Sequence, residues 1–285
     1  MCHSSFCQAF TKIDLSHPWL VPYLPIHHAY QDGGDVPLAD WLNQFFIQAN
    51  LSLNNHVGQP LSFISQNDLP HGVAYEKFIG NTGKIPTRDN LHDWFGACIW
   101  ATFPKSKAVL NHHHLQNLED NQHHNKRNRV RDTITVFDEN GAILVVSDGT
   151  IGDTIASALT CFDWQTCLVK HRPYWHRPSH PSTQDKAQLL VFGHALLEQL
   201  ITPRKPLCSH TILIGVPSDF FGLPLVDKLV FIDTLLSAKL DHFLQQAITP
   251  KHLHPLPILG VPYFWDNADP AFYEDTFVFR CGRRT

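Results

Sequence analysis

The stretch Pro86–Asn111, PTRDNLHDWFGACIWATFPKSKAVLN, places polar residues directly before a strongly apolar helical run. Asp89 or Asn90 can accept hydrogen bonds from the first backbone N–H groups of a helix that begins near Leu91. Apolar residues then recur at three- and four-residue steps, so one face of this helix is suited to burial, and Pro104 bends or restarts it. We therefore expect a buried central helix whose polar first turn lies at the rim of the core.

The composition is typical of a globular protein. The chain has 285 residues, of which 43% are hydrophobic, so it can bury a large core in one domain or in two closely packed ones. A net charge of -4 at pH 7 excludes a global positive field that would attract nucleic acid or an anionic membrane. Seven cysteines without CxxC spacing argue against a disulfide framework and favour a reducing compartment, so we expect a cytoplasmic protein.

The chain shows neither a signal peptide nor a membrane span. Its first residues lack a basic start followed by an apolar core. The longest apolar helix candidate, Leu225–Ile248, contains several charged residues and therefore predicts an amphipathic helix of a soluble protein. Met1–His28 and the C-terminal tail are rich in proline, which predicts extended segments packed on the body.

Helices and strands alternate irregularly along the rest of the chain. Two β-branched runs flank the turn sequence DENG and predict a β-hairpin over Thr133–Ser147, and His210–Val216 predicts a buried strand. Since there is no Gly-rich nucleotide loop, the pattern favours an α+β fold, mainly helical with a β-hairpin and a small mixed sheet. Apolar spacing predicts further helices over Val36–Asn50, Tyr75–Gly80, Lys105–Leu118, Gly149–Thr160 and Asp185–Ile201.

Four separated segments carry a family resemblance: PTRDNLHDWF, RDTITVFDENGA, FGHALLE and PLPILGVPYFWDNADPAFYED. In this order and at these separations they resemble a bacterial family known only as domain of unknown function 3025, which implies no activity. The resemblance implies a core domain over residues 75–279, preceded by an N-terminal arm and helical segment (1–74) and followed by a short tail (280–285). The residues on its motif positions are His92, Asp93, Arg131, Asp132, Asp138, Glu139, His194 and Glu198.

His194 and Glu198 are four residues apart on a predicted helix, so both side chains project from one face. They could share a divalent transition metal or a proton, with His92 as a third ligand and an open position for water. No HExxH signature accompanies them. The alternative is structural: Gly193 lets two helices approach closely while His194 and Glu198 satisfy buried backbone groups.

His92 and Asp93 are candidates for a general acid/base pair, because a nearby carboxylate orients an imidazole and raises its pKa. Adjacent helical residues point about 100° apart, however, so we favour Asp93 as a helix cap or as the partner of Arg88 or Arg131. In an enzyme, Arg131 would orient an anionic substrate; the alternative is that Arg131 and Asp132 form a structural ion pair.

Asp138 and Glu139 precede Asn140 and Gly141, and this run is typical of a solvated hairpin turn. The two carboxylates could instead reach a cation or the central helix. There is no GxSxG motif and no cysteine with an adjacent activating residue, so the sequence offers no nucleophile.

A polar stretch after the central helix combines histidine clusters with a basic end, and we expect part of it to form an exposed loop. The histidines could bind metal, and adventitious binding is favoured over a physiological role. The basic residues only weakly indicate binding to the phosphates of a nucleic acid. They are His112, His113, His114, His123 and His124, and Lys126, Arg127, Arg129 and Arg131.

The leading hypothesis is a soluble protein with a polar pocket for a small molecule or a divalent transition metal. The central helix, the segment 131–139 and the helix of His194 would form this pocket. In an enzyme, His92, Asp93, Arg131, Asp132, His194 and Glu198 would carry metal-dependent or acid/base hydrolysis. The alternative is a non-catalytic binding or scaffold protein in which the same residues are structural.

Overall fold

A computed structural model describes residues 5–31, 36–120, 129–246 and 248–282. The fold is α+β and mainly helical, with two small sheets, which confirms the expected class. The helices are α1 (Ser5–Phe10), α2 (Leu24–Tyr30), α3 (Leu38–Gln48), α4 (Tyr75–Thr82), α5 (Leu91–Thr102), α6 (Pro104–Asp120), α7 (Arg129–Asn140), α8 (Thr150–Thr160), α9 (His194–Gln199) and α10 (Leu225–Leu244). The strands are β1 (Ser62–Ser65), β2 (Lys84–Thr87), β3 (Gly141–Ser147), β4 (Ala187–Val191), β5 (Cys208–Val216) and β6 (His254–Pro257).

The chain divides into two compact units. The first comprises Met1–Asp14, Tyr23–Asp138 and Leu229–Pro250, and the second comprises Leu15–Pro22, Glu139–Lys228 and Lys251–Thr285.

Helix α5 is the centre of the first unit, as its sequence predicts. The side chain of Asn90 accepts a hydrogen bond from the backbone N–H of Asp93 and caps the helix, which begins at Leu91. Trp94 is fully buried, and its indole N–H donates to Nδ1 of the buried His27. Apolar burial on this scale, rather than helix propensity, holds the helix in place.

Helices α6 and α10 are joined by polar contacts in the same unit. The Asp233 carboxylate of α10 accepts hydrogen bonds from the backbone N–H groups of Lys105 and Ser106, so it caps the first turn of α6. Further along both helices, Nε2 of His113 lies 2.8 Å from Oδ1 of Asp241. Between the contacts of Asp233 with Lys105 and of Asp241 with His113, each helix advances by eight residues, so the two helices run in the same direction.

The second unit is built on a four-stranded sheet of order β4-β3-β5-β6, in which β3 pairs antiparallel with β4 and parallel with β5. All seven residues of β3 are buried, as expected for a central strand. Gly149 lies just before α8, two residues after the end of β3, and its φ of 106° favours glycine. The sheet and its covering helices thus form the core of this unit.

Two predicted elements are wrong. The predicted hairpin over Thr133–Ser147 is a helix, α7, followed at once by the single strand β3. Residues 133, 134 and 137 are buried at helical spacing, so packing of this face outweighs the β propensity of the branched residues. The predicted helix over Asp185–Ile201 is the buried strand β4 followed by the short helix α9, because a continuous apolar run suits either element.

The N-terminal segment also differs from expectation. Instead of an extended arm it forms α1, a 3-10 helix over Pro18–Tyr23, and α2, with proline accepted in the first turn of α2. Cys7 is disulfide-bonded, which the cysteine spacing did not predict, whereas Cys98, Cys161, Cys167, Cys208 and Cys281 have free thiols. Within the part of the chain that the structure describes, every helix is too short or too polar to span a bilayer.

Candidate functional site

Glu139 and His194 lie together where β3 begins and β4 ends. Helix α7 ends at Asn140 and β3 begins at the next residue, so Glu139 stands at the junction of helix and strand. The backbone N–H of Gly193 donates to the carbonyl of Gly141, and His194 is the first residue of α9. As a result, Nε2 of His194 lies 3.5 Å from Oε2 of Glu139.

Gly193 makes this approach possible. A Cβ atom at this position would lie 2.4 Å from the carbonyl oxygen of Glu139 and 2.5 Å from the amide nitrogen of Gly141, so any other residue would force the backbones apart. The sequence predicts that Gly193 lets two helices approach closely. In the structure it permits the approach of the β4 end to the α7–β3 junction.

The separation of the two side chains suits shared coordination better than a direct hydrogen bond. At 3.5 Å, the contact between His194 and Glu139 is longer than the 2.7–3.2 Å of an ordinary N–H···O hydrogen bond. Two ligands of one tetrahedral ion with bonds of about 2.1 Å stand about 3.4 Å apart. The imidazole side chain is 11% exposed and the carboxylate 35%, so the pair is buried on one side and reachable on the other.

The ligand atoms of His92, Glu139 and His194 all lie within 4.8 Å of one another. Among the described residues, this is the group of three His, Cys, Asp or Glu side chains that could hold a metal ion. Glu198, one turn further along α9, is not a member of this group. Its predicted role as a ligand stays a prediction.

Asp93 is engaged by Arg88. Its carboxylate accepts hydrogen bonds from the backbone N–H of Arg88 at 2.7 Å and from the guanidinium at 2.9 and 3.1 Å. This is the pairing that the sequence analysis favoured over a direct partnership with His92. Asp93 therefore closes the loop that leads into α5, while its acid/base role stays a prediction.

Asp138, the neighbour of Glu139, forms a buried ion pair rather than a solvated turn. Its Oδ1 lies 2.6 Å from Nζ of Lys107 on α6, and the two side chains are 16% and 9% exposed. Burial, together with the positive charges of Arg131 and Lys107, lowers the pKa of His114 to about 4. The neutral His114 ring, the ion pair and Arg131 form a polar layer between α6 and α7.

Arg131 and Asp132 lie in α7 and not before a strand. Asp132 is in the first turn, where the helix dipole favours a carboxylate. Both residues take part in interactions within the folded chain. The predicted role of Arg131 in orienting an anion and the predicted catalytic role of Asp132 stay predictions.

The first histidine cluster lies on the helix that the sequence predicts over Lys105–Leu118, and therefore not in an exposed loop. His112, His113 and His114 lie on α6, and the His113 side chain is only 5% exposed. His112 stacks on His56, with ring centroids 4.1 Å apart. The second cluster and part of the basic run, namely His123, His124, Lys126 and Arg127, fall outside the described residues.

The sequence contained the signal for Glu139 but not for its role. Asp138 and Glu139 are two carboxylates that could reach a cation, but the Asn-Gly pair that follows them favours a hairpin turn. Since α7 is a helix, Asp138 and Glu139 instead project in different directions from its last turn. One carboxylate pairs with Lys107 and the other with His194.

Comparison with known proteins gives one match. The model of a family described as a protein of unknown function (DUF3025) matches residues 61–283, which include every predicted site residue. Neither the curated proteins nor the solved structures contain a match. Because the family model covers most of the chain, this protein belongs to the DUF3025 family.

Proposed function

We propose that this protein holds one divalent transition-metal ion through His92, Glu139 and His194 and uses it to hydrolyse a small-molecule substrate. The observation that carries the proposal is the convergence of three ligand atoms within 4.8 Å. Their chemistry fits such an ion, because imidazole nitrogen and carboxylate oxygen are the ligands of zinc and of other first-row metals.

The ligand count supports a catalytic rather than a purely structural role. Structural zinc sites are closed by four protein ligands, whereas catalytic sites have three and leave one position for water or substrate. Bound in this way, zinc supplies a water whose pKa is close to 7 and polarises a carbonyl or phosphoryl group. Two histidines and one carboxylate are also the ligand set of iron(II) oxygenases, so the identity of the metal is part of the test.

The surrounding residues support the positions of the ligands. The ion pair of Lys107 with Asp138 anchors the last turn of α7, and β3 continues from the same turn, so the backbone of Glu139 is held on both sides. Gly193 sets the distance of His194 from that turn. Rigid support of this kind reduces the reorganisation needed when a ligand binds a metal.

The test is zinc affinity, measured by competition with a chromophoric chelator on metal-free protein. We expect His92→Gln, Glu139→Gln and His194→Gln each to weaken binding at least about a hundredfold, because each removes one of three ligands. Glu198→Gln is the matched control and should bind zinc like the parent. Hydrolysis of activated esters and phosphoesters is then assayed with zinc, manganese and iron(II).

Two outcomes would contradict the proposal. If Glu198→Gln weakens zinc binding and Glu139→Gln does not, the metal is held by the ligands that the sequence predicted. If all variants bind zinc like the parent, the three residues form a structural network and the non-catalytic alternative is favoured.

A further inference from the structure

The first unit contains a cavity of about 620 Å³, and none of its lining residues belongs to the metal proposal. Three parts of the chain line it: the segment 52–56, the first two turns of α6, and one face of α10. Ligand pockets in proteins commonly measure about 300–1,000 Å³, so this space is large enough for a small organic molecule.

The cavity lies between two helices that run in the same direction and face each other with small side chains. At one end, Nζ of Lys105 donates to Oγ1 of Thr234 at 2.9 Å. About two turns further along α6, His113 contacts Asp241 at 2.8 Å. Between these ties, the side chains that line the space include those of Ala108, Ser237 and Ala238, which are too small to fill it.

The two ends of the cavity carry opposite charges. Lys105 brings an ammonium group to one end, and Asp241 brings a carboxylate to the other. The hydrogen bond from His113 lowers the pKa of Asp241, so this carboxylate is ionised at neutral pH. Thr234 and Asp241 are seven residues apart (241 - 234) on α10, which is about 10 Å along the helix axis.

We propose that this cavity binds a zwitterionic ligand with the length of a tripeptide main chain, its carboxylate at Lys105 and its amino group at Asp241. An extended chain of three residues spans about 10 Å, which matches the separation of the two charged ends. The small residues on α6 and α10 leave room for small side chains, and Ser237 can bond to the peptide groups. The inference does not depend on the metal proposal, because it shares no residue with it.

The experiment is isothermal titration of the full-length protein with tri-alanine and with two capped forms of it. N-acetyl-tri-alanine lacks the ammonium group, and tri-alanine amide lacks the carboxylate. We expect tri-alanine to bind and each cap to weaken binding at least about tenfold, because a charge-assisted hydrogen bond is lost.

Three variants locate the binding. Lys105→Met lacks the partner of the ligand carboxylate, so it should bind tri-alanine and tri-alanine amide with equal affinity. Asp241→Asn lacks the partner of the ligand ammonium group, so it should bind tri-alanine and N-acetyl-tri-alanine with equal affinity. The Asn side chain can still accept the hydrogen bond from His113. Ala238→Met leaves both charges in place and fills the space, so it should abolish binding. Lys84→Met removes a lysine from β2, outside the cavity, and is the control that should bind like the parent.

Any of three results would overturn the proposal. The first is no binding of tri-alanine up to about 10 mM, which is above the usual range of KM values for small substrates. The others are equal affinity of the parent for the free and capped forms, and unchanged affinity in Ala238→Met. Circular dichroism of each variant confirms that it is folded before the titration.

Discussion

The second unit contains two pairs of a histidine with a carboxylate, and they differ in how closely their atoms approach. Nδ1 of His176 lies 2.7 Å from Oδ2 of Asp185, and both side chains are at most 10% exposed. Nε2 of His194 lies 3.5 Å from Oε2 of Glu139, and this carboxylate is 35% exposed. The first pair is closed by a hydrogen bond, whereas the second is open.

The closed pair is a structural contact. Asp185 also accepts a hydrogen bond from the backbone N–H of Ser182, and it stands just before β4. Burial lowers the pKa of His176, although its hydrogen bond to Asp185 raises it, so the ring is neutral at pH 7 and donates to the carboxylate. This hydrogen bond therefore holds the chain, whereas the atoms of the open pair lie further apart and its carboxylate is more exposed.

The largest expected effect is on stability at the closed pair. Asp185→Ala should lower the free energy of unfolding by about 3 kcal/mol, because it leaves a buried imidazole N–H and the N–H of Ser182 without their acceptor. Urea unfolding followed by circular dichroism measures this. A loss below about 0.5 kcal/mol, the usual range for surface changes, would show that the contact is not structural.

His113 and Asp241 form a second pair joined by a hydrogen bond, and the stability that this contact contributes should depend on pH. The hydrogen bond from His113 lowers the pKa of Asp241 below its usual value, so the contact stabilises the fold above about pH 4 and is lost as pH falls further. The carboxylate is 39% exposed, so its contribution is about 1 kcal/mol or less.

Asp241→Asn should therefore lower the melting temperature at pH 7 and leave it unchanged at pH 2.5. Both melts are recorded without ligand. An equal difference at the two pH values would contradict the assignment, because an effect of the carboxylate charge must disappear when the parent is protonated.

A smaller effect is expected at Gly96, one turn after His92 on α5. A Cβ atom there would meet no atom within 4 Å, so Gly96→Ala should stabilise the helix by about 0.5–1 kcal/mol through helix propensity alone. Thermal unfolding measures this. The zinc affinity of Gly96→Ala should stay within about twofold of the parent's, since no proposed ligand is altered. A lower free energy of unfolding in this variant would contradict the prediction, because it would mean that the space beside Gly96 is filled.

The smallest effect on stability is expected at the open pair. In metal-free protein, Glu139→Gln should change the free energy of unfolding by less than about 0.5 kcal/mol, because the 3.5 Å contact is not a good hydrogen bond and the group is partly solvated. Urea unfolding in chelator, beside Asp185→Ala, makes the comparison direct. A loss as large as that of Asp185→Ala would make the open pair structural too.

Much of the fold could be predicted from the sequence where local and long-range signals agree. At α5, the Asn90 cap, the helical spacing of apolar residues and the stop at Pro104 all indicate the same element. At α7 they conflict, because Ile134 and Phe137 recur at helical spacing among β-branched neighbours and an Asn-Gly pair follows. Only packing against the rest of the unit decides that case.

The site shows the same limit. The sequence indicated His194 through its four-residue spacing from Glu198, and His92 through its place in the polar first turn of the central helix. It did not indicate Glu139 as the proposed third ligand, since Glu139 reaches His194 through the pairing of β3 with β4 and the absence of a side chain at Gly193. Contacts set by sheet register and by backbone approach are not visible in helical spacing.

The most direct test of the proposed metal site is the metal content of protein purified without an affinity tag, measured by elemental mass spectrometry. We expect about one equivalent of zinc, iron or manganese in the parent and less than about a tenth in the folded double variant Glu139→Gln, His194→Gln. Equal metal in both proteins, or none in the parent after growth and purification with added metal, would contradict it.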